Sequence, residues 1–91
     1  MTGQQTFGIA AFRSRQMVLR FDGALRHAGI ASDIVSTPRE VAVGCGLSVQ
    51  FDLRDWKTVQ SVYRQTPTGN LIGFYQVTLA PAQRPQITPL R

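Results

Sequence analysis

The sequence predicts an α+β domain, and three observations carry that expectation. Leu47, Val49 and Phe51 alternate with Ser48, Gln50 and Asp52, the period of a half-buried strand. Val18, Phe21, Leu25 and Ala28 recur at helical spacing. Both halves of the chain run strand, helix, strand, a similarity of pattern rather than of sequence. At 91 residues there is room for one small core and not for two.

The elements follow in order. Phe7 to Phe12 is short and apolar and reads as a first strand. Ser14 is placed to cap a helix over Gln16 to Ala28, its hydroxyl accepting from a free first-turn N–H. Gly29 fits the helix stop. Ile30 to Ser36 is β-rich and ends at Pro38. The strand from Leu47 to Phe51 is the clearest in the chain. Asp52 is expected to cap a second helix, with Asp55 suiting its dipole and Trp56, Val59, Val62 and Tyr63 forming its apolar face. Thr66 to Asn70 is a turn, and Leu71 to Leu79 a last strand. Pro81, Pro85 and Pro89 then punctuate a tail, residues 80–91, that is expected to be extended or mobile beyond a domain of residues 1–79.

The order β-α-β-β-α-β is the ferredoxin-like split βαβ arrangement. With right-handed crossovers it gives a four-stranded antiparallel sheet in the order 4-1-3-2, with both helices on one face. That topology gathers several loops at one sheet edge. Arg13, Ser14, Arg15, Thr37, Arg39, Cys45 and Thr68 to Asn70 are expected to form one rim there. Helix one points its free N–H groups at the same rim, a site for anions.

The only cysteine, Cys45, stands between Gly44 and Gly46 and six residues after Arg39. Flanking glycines relax the backbone and leave a sulfur uncovered. Arginine and a helix N-terminus favour the thiolate, which is the nucleophile. A free cysteine also serves as a small buried hydrophobe, and both readings stand at this point. Ser14 is equally a simple cap and Arg39 a surface charge beside Glu40.

Composition closes off other chemistries. Hydrophobic residues make up 43% and charged residues 16%, as in a compact globular chain. No apolar run approaches the ~20 residues of a membrane span, and no signal peptide is visible. One cysteine forms no internal disulfide, so a cytoplasmic chain is the default. The net charge is +5, but the arginines are dispersed and make no nucleic-acid cluster. The one histidine, His27, falls at the edge opposite Cys45, which argues against a Cys-His pair and a closed zinc site. No carboxylate pair, dinucleotide fingerprint or P-loop is present, and no cofactor or metal is expected.

Phe12-x-Ser14, Leu25-x-x-Ala28-Gly29-Ile30, Thr37-Pro38-Arg39-Glu40 and Cys45-Gly46-Leu47-Ser48 resemble the selenium/sulfur carrier-like domain family, formerly a domain of unknown function. The match covers about Phe7 to Phe51, and the Pro-Arg to Cys-Gly spacing is its most specific part. The resemblance implies that Cys45 is a carrier thiol with Arg39 and Ser14 around it. The family often has serines just before the cysteine, where this chain has Ala42-Val43-Gly44. Support for the thiolate then falls to Arg39 and backbone N–H groups.

The expected function is a sulfur or selenium carrier that holds a persulfide on Cys45, with Arg13, Arg15, Arg39, Ser14, Gly44 and Gly46 as its anion-binding surroundings. Its partners would be a donor protein such as a cysteine desulfurase and an acceptor. It would be an accessory protein rather than an enzyme with its own substrate pocket. Two alternatives stay open. One is a regulatory domain that binds an anionic metabolite at the arginine rim. The other is RNA binding on the open sheet face, for which Phe12 and Phe74 are the candidate aromatics and against which Ser48 and Gln50 argue. The Ile30 to Ser36 strand would lie at the sheet edge, open to pairing with another copy.

Overall fold

The computed structural model describes residues 4–41, 46–66 and 69–90. Strand β1 (Gln5–Phe12) is the middle of the sheet. Ile9, Ala10, Ala11 and Phe12 are all buried, which explains why this strand reads as a continuous apolar run. On one side β1 pairs with β3 (Leu47–Phe51), and β3 pairs with β2 (Ser32–Ser36). On the other side β1 pairs with β4 (Leu71–Leu79), and β4 with β5 (Gln86–Pro89). Every pairing is antiparallel, and the order is β2-β3-β1-β4-β5.

The sheet therefore has five strands where the sequence predicts four. The fifth comes from the proline-punctuated segment. Ile87 pairs with Val77 and Pro89 with Tyr75. Proline is tolerated there because β5 is an edge strand, whose missing N–H groups are not needed by a further neighbour.

Helix α1 (Arg15–His27) buries Val18, Phe21 and Leu25. It stops as its sequence dictates. Gly29 takes φ +84°, its N–H donates to the Arg26 carbonyl, and the Ile30 N–H reaches back to Leu25. That is the Schellman closure, and the buried pair Leu25 and Ile30 supplies its apolar contact. The start differs from expectation. Ser14 holds the capping backbone shape, but its side chain makes no cap bond; its carbonyl accepts from Met17 and Val18 instead. Asp52 does cap, accepting from Arg54 N–H at 2.9 Å, but it caps a 3₁₀ turn (Leu53–Asp55) that leads into α2 (Trp56–Gln65).

The main core lies between the helices and one sheet face. Phe12, Val49 and Phe51 meet Val18, Phe21, Leu25 and Val59 there. Phe74 extends the core into an aromatic cluster, with ring centroids 4.9 Å from Trp56 and 5.4 Å from Tyr63. Phe51 lies over Gly8, where any Cβ would collide with its ring. The other sheet face has its own small buried set, Ile9, Ala11 and Val77, outside the main cluster. Tyr75 lies along that face over Gly73, where a Cβ would come within 2.9 Å of the phenol oxygen.

Candidate functional site

The connection from β2 to β3 carries the motif that the sequence singles out. Its stem is held at three points. The Thr37 N–H donates to the Gly46 carbonyl at 2.8 Å. The Thr37 and Ser48 hydroxyls bond at 2.6 Å. Gly46 takes φ +74°, a left-handed conformation that glycine adopts without strain. Ser48 is fully buried, so its bond to Thr37 removes the cost of an unpaired hydroxyl. Past the stem, the Val41 N–H closes a turn onto Pro38 and the Val41 side chain is buried. Gly44 and Cys45 lie outside the described residues, as does Thr68.

The register fixes where this stem sits. Ser48 pairs with Ala11, one residue before the end of β1, and Leu47 pairs with Ser36. The stem and the start of α1 therefore share one sheet edge. The entry to β4 joins them, because the Arg13 N–H donates to the Asn70 carbonyl at 2.8 Å. Gly69 and Asn70 both take positive φ to make that turn. Arg13 and Arg15 are exposed and Ser14 is half-buried. Among the described residues, no carboxylate stands within ion-pair distance of Arg13, Arg15 or Arg39. The first turn of α1 holds no acidic side chain.

Arg39 has a neighbour that the sequence does not announce. Arg39, Glu40 and Arg84 line a cleft of about 460 Å³. Arg84 belongs to the connection between β4 and β5, which leaves the sheet where Leu79 pairs with Gln5. That is the edge opposite Ser14. Two guanidinium groups and one carboxylate thus line one open cleft. No sequence signal pointed to Arg84, because it lies in a segment with no apolar period.

The opposite edge is organised by a carboxylate. Asp22 accepts from the Ser32 hydroxyl at 2.6 Å and from Arg26 at 3.0 Å. Arg26 also donates to the Ser32 carbonyl at 2.7 Å. A cleft of about 770 Å³ opens beside this network, lined by Arg26, Ser32, Asp33, Phe51 and Asp52 among others. The aromatics nominated for an open sheet face lie on the other side. Phe12 is fully buried and Phe74 packs against Trp56 and Tyr63. Phe7 and Tyr75, by register, are the aromatics of the helix-free face. Among the described residues no group of three His, Cys, Asp or Glu side chains is placed to hold a metal ion. No helix there is long and apolar enough to cross a membrane.

Among the described residues the geometry is that of a small α+β domain in which the two ends of the β2–β3 connection are pinned together on the sheet edge that also carries the exposed Arg13 and Arg15. The chain belongs to the family described as "Putative Se/S carrier protein-like", which matches residues 7–70. The match runs from β1 through α2 to the turn before β4, and so spans the whole Cys45 connection. Nothing among curated proteins or solved structures matches the chain.

Proposed function

We propose that this protein is a sulfur or selenium carrier whose cargo rides on Cys45. The observation that carries the reading is the family match across residues 7–70, which takes in both the Cys45 loop and its pinned stem. Loading is a thiol exchange. The Cys45 thiolate attacks the outer sulfur of a donor persulfide, such as that of a cysteine desulfurase. A sulfur–sulfur bond forms on Cys45, the donor's breaks, and the donor leaves as a thiolate. Atoms and electrons balance with no outside oxidant. Delivery repeats the exchange towards an acceptor nucleophile.

A persulfide carried this way is an anion near neutral pH. Arg39 is the first candidate to hold it, with Arg13, Arg15, Ser14 and the Gly44 and Gly46 N–H groups as further surroundings. Arg84 joins Arg39 in this role. A cytoplasmic setting, where thiols stay reduced, suits the chemistry. The order β4-β1-β3-β2 within the sheet supports the ferredoxin-like reading, with β5 added at one edge. The Arg39, Glu40 and Arg84 cleft favours a second reading, a regulatory domain that binds an anionic metabolite.

The deciding experiment is intact mass after incubation with a cysteine desulfurase and cysteine. The carrier gains one sulfur, released by reductant, and Cys45→Ser gains none. A chain that stays unloaded while binding a phosphorylated metabolite supports the regulatory reading. Tight RNA binding with a steep salt slope and no effect of Cys45→Ser supports the nucleic-acid reading.

A further inference from the structure

The two outer strands of the sheet are protected unequally. β5 is preceded by Pro85 and ends on Pro89, residues that offer no N–H to a newcomer. β2, with the sequence Ser32-Asp33-Ile34-Val35-Ser36, has no proline, and its register with β3 runs unbroken. Its Ser32 carbonyl accepts from Arg26 and so points away from β3. Backbone groups alternate in direction along a strand. The N–H and C=O of Ile34 therefore also point outward, where no described strand lies.

Apolar surface gathers at the same place. Leu19 and Ile34 are the exposed large hydrophobics among the described residues, at 52% and 38% exposure. α1 touches β2 through Asp22 and Arg26, and Leu19 precedes them by three and seven residues, on one stripe of the helix. Ile34 faces the helix layer too, since its register partner Val49 is in the core beneath α1. A charge on an edge strand repels pairing, but Asp33 has Arg26 of its own chain at 3.6 Å.

We propose that β2 pairs antiparallel with β2 of a second copy of this chain, about a two-fold axis at Ile34. Ser32 then falls opposite Ser36, Asp33 opposite Val35, and Ile34 opposite its own equivalent. No like charges are opposed. The outward N–H and C=O of the two Ile34 residues exchange two hydrogen bonds, and Leu19 of each copy flanks the Ile34 pair. Ser32 and Ser36 stand symmetrically about Ile34, and each Asp33 falls opposite an uncharged Val35, so the strand is complementary to a second copy of itself. A two-fold interface demands that kind of self-complementary patch. The inference is independent of any carrier role, because it rests on β2 and α1 and invokes no chemistry at the thiol.

The test is sedimentation equilibrium of the full chain, with amide hydrogen exchange followed over the same concentrations. The mean mass should rise towards two chains as concentration increases, and exchange at the Ile34 amide should slow in step. Leu19→Lys, on an exposed helix position, should keep the circular dichroism of the wild type and weaken self-association tenfold or more. Arg64→Ala, at an exposed position at the C-terminal end of α2, should change neither. A single-chain mass at every concentration up to about 1 mM would overturn the proposal. So would a dimer whose Ile34 amide is unprotected, or one indifferent to Leu19→Lys.

Discussion

Gly8 and Gly73 separate two kinds of glycine in one sheet. At Gly8 an added Cβ meets the Phe51 ring, which is buried and stacked 6.0 Å from Trp56, so it has nowhere to go. Gly8→Ala should cost about 1–3 kcal/mol, as overpacking does, and lower the thermal midpoint. At Gly73 the Cβ meets the far end of the half-buried Tyr75, which can swing aside. Gly73→Ala should cost less, and the two midpoints measured side by side check the ranking. Cys45 supplies the chemical prediction. If Arg39 supports the thiolate as proposed, Arg39→Ala should slow alkylation of the folded protein by iodoacetamide near neutral pH. Arg54→Ala, at the other edge, should leave the rate unchanged; equal loss in both would reduce the effect to net charge. At this scale the chain is half legible. Gly29 declares its left-handed turn because only glycine takes φ +84° freely. Ser14 misleads, because the helix start is held by its carbonyl, and a side chain's choice of partner leaves no trace in sequence.

Elements were readable where an apolar period existed. Val18, Phe21 and Leu25 mark α1, and Val49 and Phe51 mark β3, because burial on one face imposes the period. β5 has no such pattern. Ile87 is its one large aliphatic, and backbone pairing with β4 makes the strand. The same holds for Arg84, whose place in one cleft with Arg39 arises from tertiary placement alone. The β2–β3 stem is the element to break. Thr37→Val removes the partner of a fully buried Ser48 hydroxyl. The expected cost is about 1–3 kcal/mol in denaturant unfolding, the desolvation penalty of the orphaned group. Adding Ser48→Ala to Thr37→Val should recover part of that loss, since it removes the orphan. A double variant no better than the single would show that the bond carries no such weight.

Across the whole molecule the two sheet edges differ in how their charges are paired. Asp22, Asp33, Asp52 and Asp55 lie towards the edge where α1 ends and β2 begins, where Arg26 and Arg54 pair with three of them, while Arg13, Arg15 and Arg64 lie towards the other with no carboxylate at ion-pair distance among the described residues. If the protein loads from an acidic donor, a net charge of +5 and these unpaired arginines would draw that donor to the arginine end. Association with an acidic donor protein should slow as salt rises, and Arg13→Glu with Arg15→Glu should flatten that dependence in stopped-flow measurements. The C-terminal strand matters to the whole as well. The Leu90 N–H donates to Phe74, and Leu90 packs beside the aromatic cluster. Deleting residues 80–91 should bare the β4 edge and uncover Trp56 and Phe74. The expected readout is a lower thermal midpoint with red-shifted tryptophan emission.

The stem of the Cys45 connection separates what holds a loop from what fills it. Thr37, Gly46 and Ser48 fix the two ends of the connection to each other and to β3. A loop so anchored behaves as an interchangeable cassette. The residues between the two ends, Ala42-Val43-Gly44 among them, can then change while the stem keeps its shape. Grafting a serine-rich tip onto the same stem should therefore retune the reactivity of the sulfur and leave the melting curve of the domain where it was.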